Sequence, residues 1–169
     1  MSSAQSQVSN ESTQPLAVLP FAPAPGTAAH SLWFAVQTRP WESLAVLPAG
    51  PGESAKDVAN ALFDVGALAS GGPMRLLDAR DVTLTSSASV IVNMSSLVSA
   101  SGERRTGGTQ RVVVVLASVI DVMAGIPIAM AADAVVLTVT LGKTRLDDAR
   151  RTLELVGAHR VLGTILVPA

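Results

Sequence analysis

Residues 43–58 read SLAVLPAGPGESAKDV, and this stretch decides the fold class. The apolar run from Ser43 to Leu47 ends in a turn of glycine and proline. A helical pattern follows, in which Val58, Leu62 and Val65 recur at i, i+4 and i+7. The order strand, turn, helix is typical of one unit of a parallel α/β sheet, with the apolar face of the helix packed on the sheet.

Further strands are predicted after this unit. Val112 to Leu116 is an unbroken apolar run without polar alternation, as expected for a central parallel strand that is covered on both faces. The other runs are Met74–Leu77, Val90–Val92, Ala134–Leu141 and Val161–Val167, of which Val90–Val92 is the weakest. Strands joined by helical crossovers run parallel, so we predict a doubly wound, mostly parallel α/β sheet in a three-layer α/β/α arrangement.

Two of the crossovers contain side chains that we expect to pack in the core. The crossover before Ala134 carries Met123 and Met130, which we expect to fill gaps among the core residues. A charged helix precedes the last strand, and its predicted inner stripe consists of Leu146, Ala149, Leu153 and Val156.

A proline-rich segment precedes the domain. Residues 1–27 are polar at first and then carry four prolines between Pro15 and Pro25, a composition that resists both helix and ladder formation. We predict a disordered tail over 1–27 and a single domain over 28–169. The domain is expected to open with a short helix between Ala28 and Thr38, anchored by Trp33 and Phe34.

Composition narrows the function classes. The net charge of -1 over 169 residues gives no attraction to nucleic acid, and 49% hydrophobic residues are enough for a sizeable core. The absence of cysteine excludes disulfides and thiolate sites, and His30 and His159 are too far apart in sequence to indicate a metal site. The opening residues lack the pattern of a signal peptide, and Asp121 and Asp133 interrupt the apolar stretch Val112–Gly142. We therefore expect a cytoplasmic protein without a transmembrane segment.

The turn after the first strand has the position of a phosphate-binding loop. Counted from Gly50, the pattern G-x-x-x-x-G-K-[ST] requires glycine at Ala55, lysine at Lys56 and serine or threonine at Asp57. Only Gly50 and Lys56 agree with it. The backbone N–H groups at a helix start do not depend on side chains, so weak ATP binding stays open, whereas phosphoryl transfer is not expected.

The same turn resembles that of a known family. Pro51-Gly52-Glu53 followed by Val58-Ala59-Asn60-Ala61-Leu62 is similar to P-G-E-G-K-S-T-V-A-A-N-L in the bacterial tyrosine kinases that regulate exopolysaccharide assembly, a branch of the ParA/MinD group of P-loop proteins. In that alignment Ser54 replaces the glycine, Ala55 the phosphate-gripping lysine and Lys56 the metal-holding serine. Either way of counting places the carboxylate of Asp57 beside the expected phosphate, which it would repel.

Two more strand ends carry altered motifs of that family. Arg75-Leu76-Leu77-Asp78-Ala79-Arg80 resembles L-L-I-D-A-D-L-R, with Asp78 in the place of the first acid and Arg80 in the place of the second. Ala117-Ser118-Val119-Ile120 stands where the family has D-T-P-P, so no carboxylate follows that strand directly. Asp121 is open to two interpretations, a displaced metal-side acid or a helix cap, and the cap is the commoner arrangement.

The last third of the chain is the closest match. Ala132–Leu137, Gly142–Arg145 and Arg160–Gly163 resemble A-D-G-V-L-L, G-x-T-R and R-V-L-G, which are mainly structural positions, and Asp133 is expected to cap or pair at a strand entrance. The resemblance implies a degenerate P-loop domain with no catalytic residue, no metal ligand and no required cofactor. The residues of its altered nucleotide site are Gly50, Pro51, Gly52, Glu53, Ser54, Ala55, Lys56, Asp57, Asp78 and Arg80.

We therefore expect a catalytically inactive relative of the exopolysaccharide-regulating tyrosine kinases. The sequence contains no tyrosine, so it offers no acceptor for tyrosine phosphorylation. The resemblance implies contacts with a membrane polysaccharide co-polymerase or export protein, or with a catalytic paralogue, and membrane association through such a partner. Two alternatives remain open. One is an ATPase of the ParA/MinD kind that uses Lys56 in an atypical loop, and the other is a structural subunit of a larger assembly, such as a homo-oligomer.

Overall fold

The computed structural model describes residues 18–20, 27–99 and 110–169. They form six strands, which are β1 (Val18–Pro20), β2 (Ser43–Pro48), β3 (Met74–Ala79), β4 (Arg111–Leu116), β5 (Ala134–Thr140) and β6 (Val161–Val167). The helices are α1 (Thr27–Val36), α2 (Lys56–Ala69), α3 (Leu84–Ser99), α4 (Gly125–Ala131) and α5 (Leu146–Val156), with a 3₁₀ turn at Ala158–Arg160. All strand pairs are parallel, in the order β1-β6-β5-β2-β4-β3. The predicted α/β class is confirmed.

The centre of the sheet is buried on both faces. The side chains of β2 alternate, so that Leu44 and Val46 belong to one core cluster while Ala45 and Leu47 belong to the other. Helices α1 and α2 cover the first face, and α3, α4 and α5 cover the second. The β-branched run of β4 is buried from Val112 onward, as expected for a strand with helices on both sides.

The connections that follow β2 and β5 leave toward opposite sides of the sheet. After β2 the chain runs to the β3 edge of the sheet, whereas after β5 it runs to β6 on the other side. Because β2 and β5 are neighbours whose following connections leave in opposite directions, a crevice opens at their carboxyl ends. This is the position where ligands bind in open α/β sheets, and the turn after β2 lies there.

The strand predicted at Val90–Val92 is wrong, because these residues lie within helix α3. Three consecutive β-branched side chains favour a strand locally. In the folded chain Ser87 and Met94 are buried and Val90 and Ile91 pack against the same core cluster, so the spacing is helical. Tertiary packing has overridden local propensity here.

Three smaller expectations also fail. Val18–Pro20, inside the proposed tail, pair with Thr164–Leu166 of β6, so ladder formation is not excluded there. The rest of the proposed tail up to residue 26 lies outside the described residues. Leu146, predicted on the inner stripe of α5, is exposed, whereas Thr152 is buried. Met123 and Met130, expected in the core, are exposed as well.

Among the described residues, no helix is both long enough and apolar enough to cross a bilayer.

Candidate functional site

The turn between β2 and α2 is anchored at its first residue, Ala49, to strand β5 and to helix α5. The N–H of Ala49 donates to the carbonyl oxygen of Thr138 in β5 over 2.8 Å, and the Thr152 hydroxyl of α5 donates to the carbonyl oxygen of Ala49 over 2.9 Å. Gly52 has φ +65°, a left-handed conformation that suits glycine. The turn is therefore a fixed loop at the carboxyl edge of the sheet, directly over the crevice between β2 and β5.

The side chain of Glu53 folds back into this loop. Its carboxylate accepts hydrogen bonds from the hydroxyl of Thr140 at 2.9 Å and from the hydroxyl of Thr144 at 2.8 Å. A Cβ at Gly50 would overlap Oε1 of Glu53, so the glycine makes room for this carboxylate. Glu53 thus ties the loop to the end of β5 and places a negative group within the crevice.

The backbone of Gly52 is bound on both sides by charged groups of the same chain. Its N–H donates to Oδ2 of Asp121 over 2.7 Å, and its carbonyl oxygen accepts from Nζ of Lys143 over 3.1 Å. In phosphate-binding loops such N–H groups point at an anion. Here the anion is a carboxylate of the protein itself.

The interpretation of Asp121 as a helix cap is wrong. The residue before α4 is Ala124, which makes no side-chain capping bond, and the carboxylate of Asp121 reaches the loop instead. The alternative, a displaced metal-side acid, stays a prediction. The contact of the Asp121 side chain is with the loop backbone.

The charged residues at the start of α2 are arranged unlike those of a working phosphate loop. Ala55 is fully buried, and the adjoining Lys56 and Asp57 are exposed on the first turn of the helix. The Ser54 hydroxyl accepts from the N–H of Lys56 at 3.3 Å. One cation and one carboxylate therefore stand side by side at the helix start, where a phosphate would need positive charge.

Asp78 and Arg80 form a closed pair at the end of β3. Nε of Arg80 donates to Oδ1 of Asp78 at 2.9 Å and Nη2 donates to Oδ2 at 2.7 Å, a fork geometry. The Arg80 side chain holds the pKa of Asp78 below its ordinary value, against a smaller opposing effect of burial, and the charge of Lys56 adds to the lowering. Both carboxylate oxygens are thus engaged by Arg80.

Replacing Arg80 with alanine is expected to raise the pKa of Asp78 toward the ordinary value of 3.8. A carboxyl with a lowered pKa stabilises the fold above its unfolded pKa, and that contribution is lost as the pH falls through the folded pKa. The stabilising part of the pair is therefore present at neutral pH and disappears in acid. Titration of the Asp78 carboxyl carbon by NMR would measure the shift, and an unchanged midpoint in the variant would contradict it.

Asp133 lies at the amino ends of β2 and β5, at the end of the sheet away from the loop, and has a structural role. Its Oδ2 accepts from the N–H of Glu42 at 3.0 Å and from the N–H and hydroxyl of Ser43, both at 2.8 Å. Burial opposes ionisation, but these donors and the charge of Arg160 outweigh it and leave the pKa of Asp133 below its ordinary value. The expectation that Asp133 pairs at a strand entrance is confirmed.

The structure adds residues to the loop that the sequence analysis leaves out of the site or, for Asp121, leaves open. Asp121, Thr140, Lys143 and Thr144 all contact Gly52 or Glu53 in the loop. Lys143 and Thr144 belong to the segment that resembles G-x-T-R, for which the sequence analysis predicts a mainly structural role. A threonine and a lysine directly after a parallel strand were the available signal, because strand carboxyl ends share one edge. Over the described residues, no three His, Cys, Asp or Glu side chains are grouped so that they could hold a metal ion.

Comparison with known proteins gives a fold. No family model matches the sequence, and no curated protein matches it. Among solved structures, the crystal structure of the chimerical protein CapA2B2 is similar with a TM-score of 0.59 and 14% identity, over 84% of this chain and 83% of that chain. The kinase domain of the Escherichia coli tyrosine kinase ETK is similar with a TM-score of 0.58 and 11% identity, over 84% of this chain and 73% of that one. At these identities the likeness shows the fold alone, a parallel α/β fold similar to those two structures.

Proposed function

We propose that this chain is a catalytically inactive relative of the exopolysaccharide-regulating bacterial tyrosine kinases and acts through protein contacts. The fold shared with the ETK kinase domain supports the relationship. The observation that carries the inactivity is the hydrogen bond from the Gly52 N–H to the carboxylate of Asp121. The loop group that would receive a phosphate is already satisfied by the chain.

The charges around the loop also disfavour nucleotide binding. Glu53, Asp57 and Asp121 bring three carboxylates to the loop, while Arg80 is bound to Asp78. Phosphoryl transfer depends on positioning and on metal and cationic groups that neutralise the developing charge. A triphosphate entering this loop would have to displace Asp121 and lie beside like charges. Binding of a nucleotide is therefore disfavoured before any chemistry begins.

The proposed partners follow from the relationship. We place the protein beside a membrane polysaccharide co-polymerase or export component, or beside a catalytic paralogue, in polysaccharide biosynthesis or export. In this role the protein would sit in the cytoplasm and reach the membrane through its partner. Co-purification of a tagged copy with an export component, from cells that carry the genes for both, is the direct check on the partner.

Titration of the full chain with magnesium and ATP tests the inactivity. We expect no saturable heat signal up to millimolar nucleotide, and no difference between the native chain and the variant Lys56→Ala. The physical reason is that the N–H of Gly52 stays bound to Asp121 whether or not Lys56 is present. Micromolar, magnesium-dependent binding that Lys56→Ala abolishes would instead support the second candidate, an ATPase of the ParA/MinD kind.

One observation favours that second candidate. Lys56 is exposed on the first turn of α2, and its charge contributes to the lowered pKa of Asp78, so a cation lies near that carboxylate at the carboxyl ends of the strands. A partner that supplied further cations and displaced Asp121 could complete such a site. The same titration in the presence of a candidate partner separates the two functions, because only the ATPase gains a nucleotide signal.

A further inference from the structure

The outer faces of α3 and α4 form a continuous surface without charge. No Asp, Glu, Lys or Arg occurs between Val82 and Ser99 or between Val122 and Ala132. The two helices pack against each other on the same side of the sheet, so their solvent-facing sides adjoin. Such a length of uncharged surface is unusual for the outside of a protein, where charged side chains of both signs are normally interspersed.

Large apolar side chains point outward from this surface. Leu84 and Val92 on α3 are 75% and 66% exposed, and Met123 and Met130, before and within α4, are 63% and 49% exposed. Leu84, Ala88 and Val92 recur at i, i+4 and i+8 and are all exposed, so they form a stripe along one side of α3. We call the surface of Leu84, Ala88, Val92, Met123, Pro127 and Met130 the α3–α4 face.

The chemistry of the α3–α4 face limits what can cover it. A charged partner surface would lose its hydration there and find no opposite charge, which is costly. Helices that bind the membrane surface carry Lys and Arg on their polar side, whereas α3 and α4 contain neither residue on any side. The occupant must therefore be an uncharged protein surface, and depletion of charge with enrichment of Met is typical of the buried centre of protein interfaces.

A second copy of the chain meets this requirement through the same face. In a twofold arrangement each face lies against its own copy, so no charge is buried. A head-to-tail contact with the outer sides of α2 or α5 would instead place exposed charges such as Asp64 or Arg151 against the apolar side chains. We propose that two copies of this chain pair isologously through the α3–α4 face.

The size of the face indicates a modest affinity. Together with the other exposed residues around it, eight on α3 and four on or just before α4 among those that the structure describes, the face has fewer than the roughly 20 to 30 residues per side of a standard stable interface. We therefore expect a dimer that forms in the micromolar range or above and dissociates on dilution. The pairing does not involve the loop after β2, so it stands or falls separately from the inactivity of the nucleotide site.

Sedimentation velocity of the full chain without nucleotide tests the pairing. We expect the dimer fraction to rise from micromolar to millimolar concentration, and Val92→Glu to weaken association by at least about tenfold, because it buries a charge against its own copy. Leu68→Glu is the matched control. Leu68 is 87% exposed on α2, outside the α3–α4 face, so this variant should associate like the native chain. Circular dichroism at low concentration checks that both variants are folded.

Thiol cross-linking gives a second readout, since the chain has no cysteine of its own. The single variants Ala88→Cys and Val92→Cys should each give a covalent dimer with a short bismaleimide, whereas Leu68→Cys should not. A chain that stays monomeric at all concentrations would overturn the proposal, and so would a dimer that Val92→Glu leaves intact. Equal cross-linking at position 68 would overturn it as well.

Discussion

Replacing Gly66 with alanine is expected to lower the free energy of unfolding by about 1–3 kcal/mol, although alanine is the better helix former. Gly66 is buried in α2, and a Cβ there would overlap Sδ of Met74 and Cζ3 of Trp33. The thioether of Met74 can move aside. Trp33 cannot do so freely, because its ring lies edge-on to that of Trp41, with the ring centroids 5.9 Å apart, and the guanidinium of Arg111 lies over both rings. The added methyl group therefore forces α2 away from its neighbours.

Urea denaturation of the native chain and the variant measures this effect, and the next residue provides the control. Ala67 is exposed on the same helix, so Ala67→Gly should cost about 1 kcal/mol through helix propensity alone. If propensity governed both positions, Gly66→Ala would stabilise the protein by a similar amount. A variant as stable as the native chain, or more so, would show that the contact with Trp33 does not restrict this position.

The strands of the central sheet could be predicted because burial on both faces leaves a plain signal. Val112–Leu116 is an apolar run without polar alternation, and β4 occupies almost the same residues. The helical stripe Val58, Leu62 and Val65 was equally reliable, since all three side chains are buried in the core. Such segments agree with the fold both locally and in their tertiary contacts.

Helix α3 shows where sequence reasoning fails. Val90, Ile91 and Val92 together favour a strand, and the serines around them are weak helix formers. A local start signal was nevertheless present. The hydroxyl and N–H groups of Thr83, just before the helix, and Ser86, in its first turn, bond reciprocally in the manner of a capping box with serine in the place of glutamate.

The candidate site could be located from sequence but not assembled. The order of strand, turn and helix gives the position of the loop from Gly50 to Asp57, and the missing groups of the phosphate motif follow by inspection. The contacts of Asp121 with Gly52 and of Glu53 with Thr144 join residues that are 69 and 91 positions apart. They depend on how β4 and β5 flank β2, which is a property of the folded sheet.

Replacing Asp121 with alanine is expected to increase the affinity of the loop for inorganic phosphate or ADP by at least about tenfold. The change releases the N–H of Gly52 and removes a negative charge that lies within hydrogen-bond distance of it. Two unit charges 4 Å apart near a protein surface interact by about 4 kcal/mol, so even a strongly screened fraction of this repulsion accounts for a tenfold change, which is about 1.4 kcal/mol. The gain should shrink as salt is added, because exposed charges are screened. Amide NMR shifts of Gly52 during a phosphate titration at low salt measure it directly.

Asp64→Ala is the matched control for this experiment, since it removes an exposed carboxylate from α2 away from the loop and changes the net charge equally. Binding that rises only in Asp121→Ala identifies the carboxylate on the loop as the group that excludes phosphate. Equal affinities in the two variants would mean that overall charge, or the missing side chains of the loop, excludes it instead. Hydrolysis of ATP should stay absent in both variants, because freeing one N–H restores neither a metal ligand nor the cations that phosphoryl transfer requires. Occupation of the loop by Asp121 and the proposed absence of catalysis are thus separable properties, and this pair of variants distinguishes them.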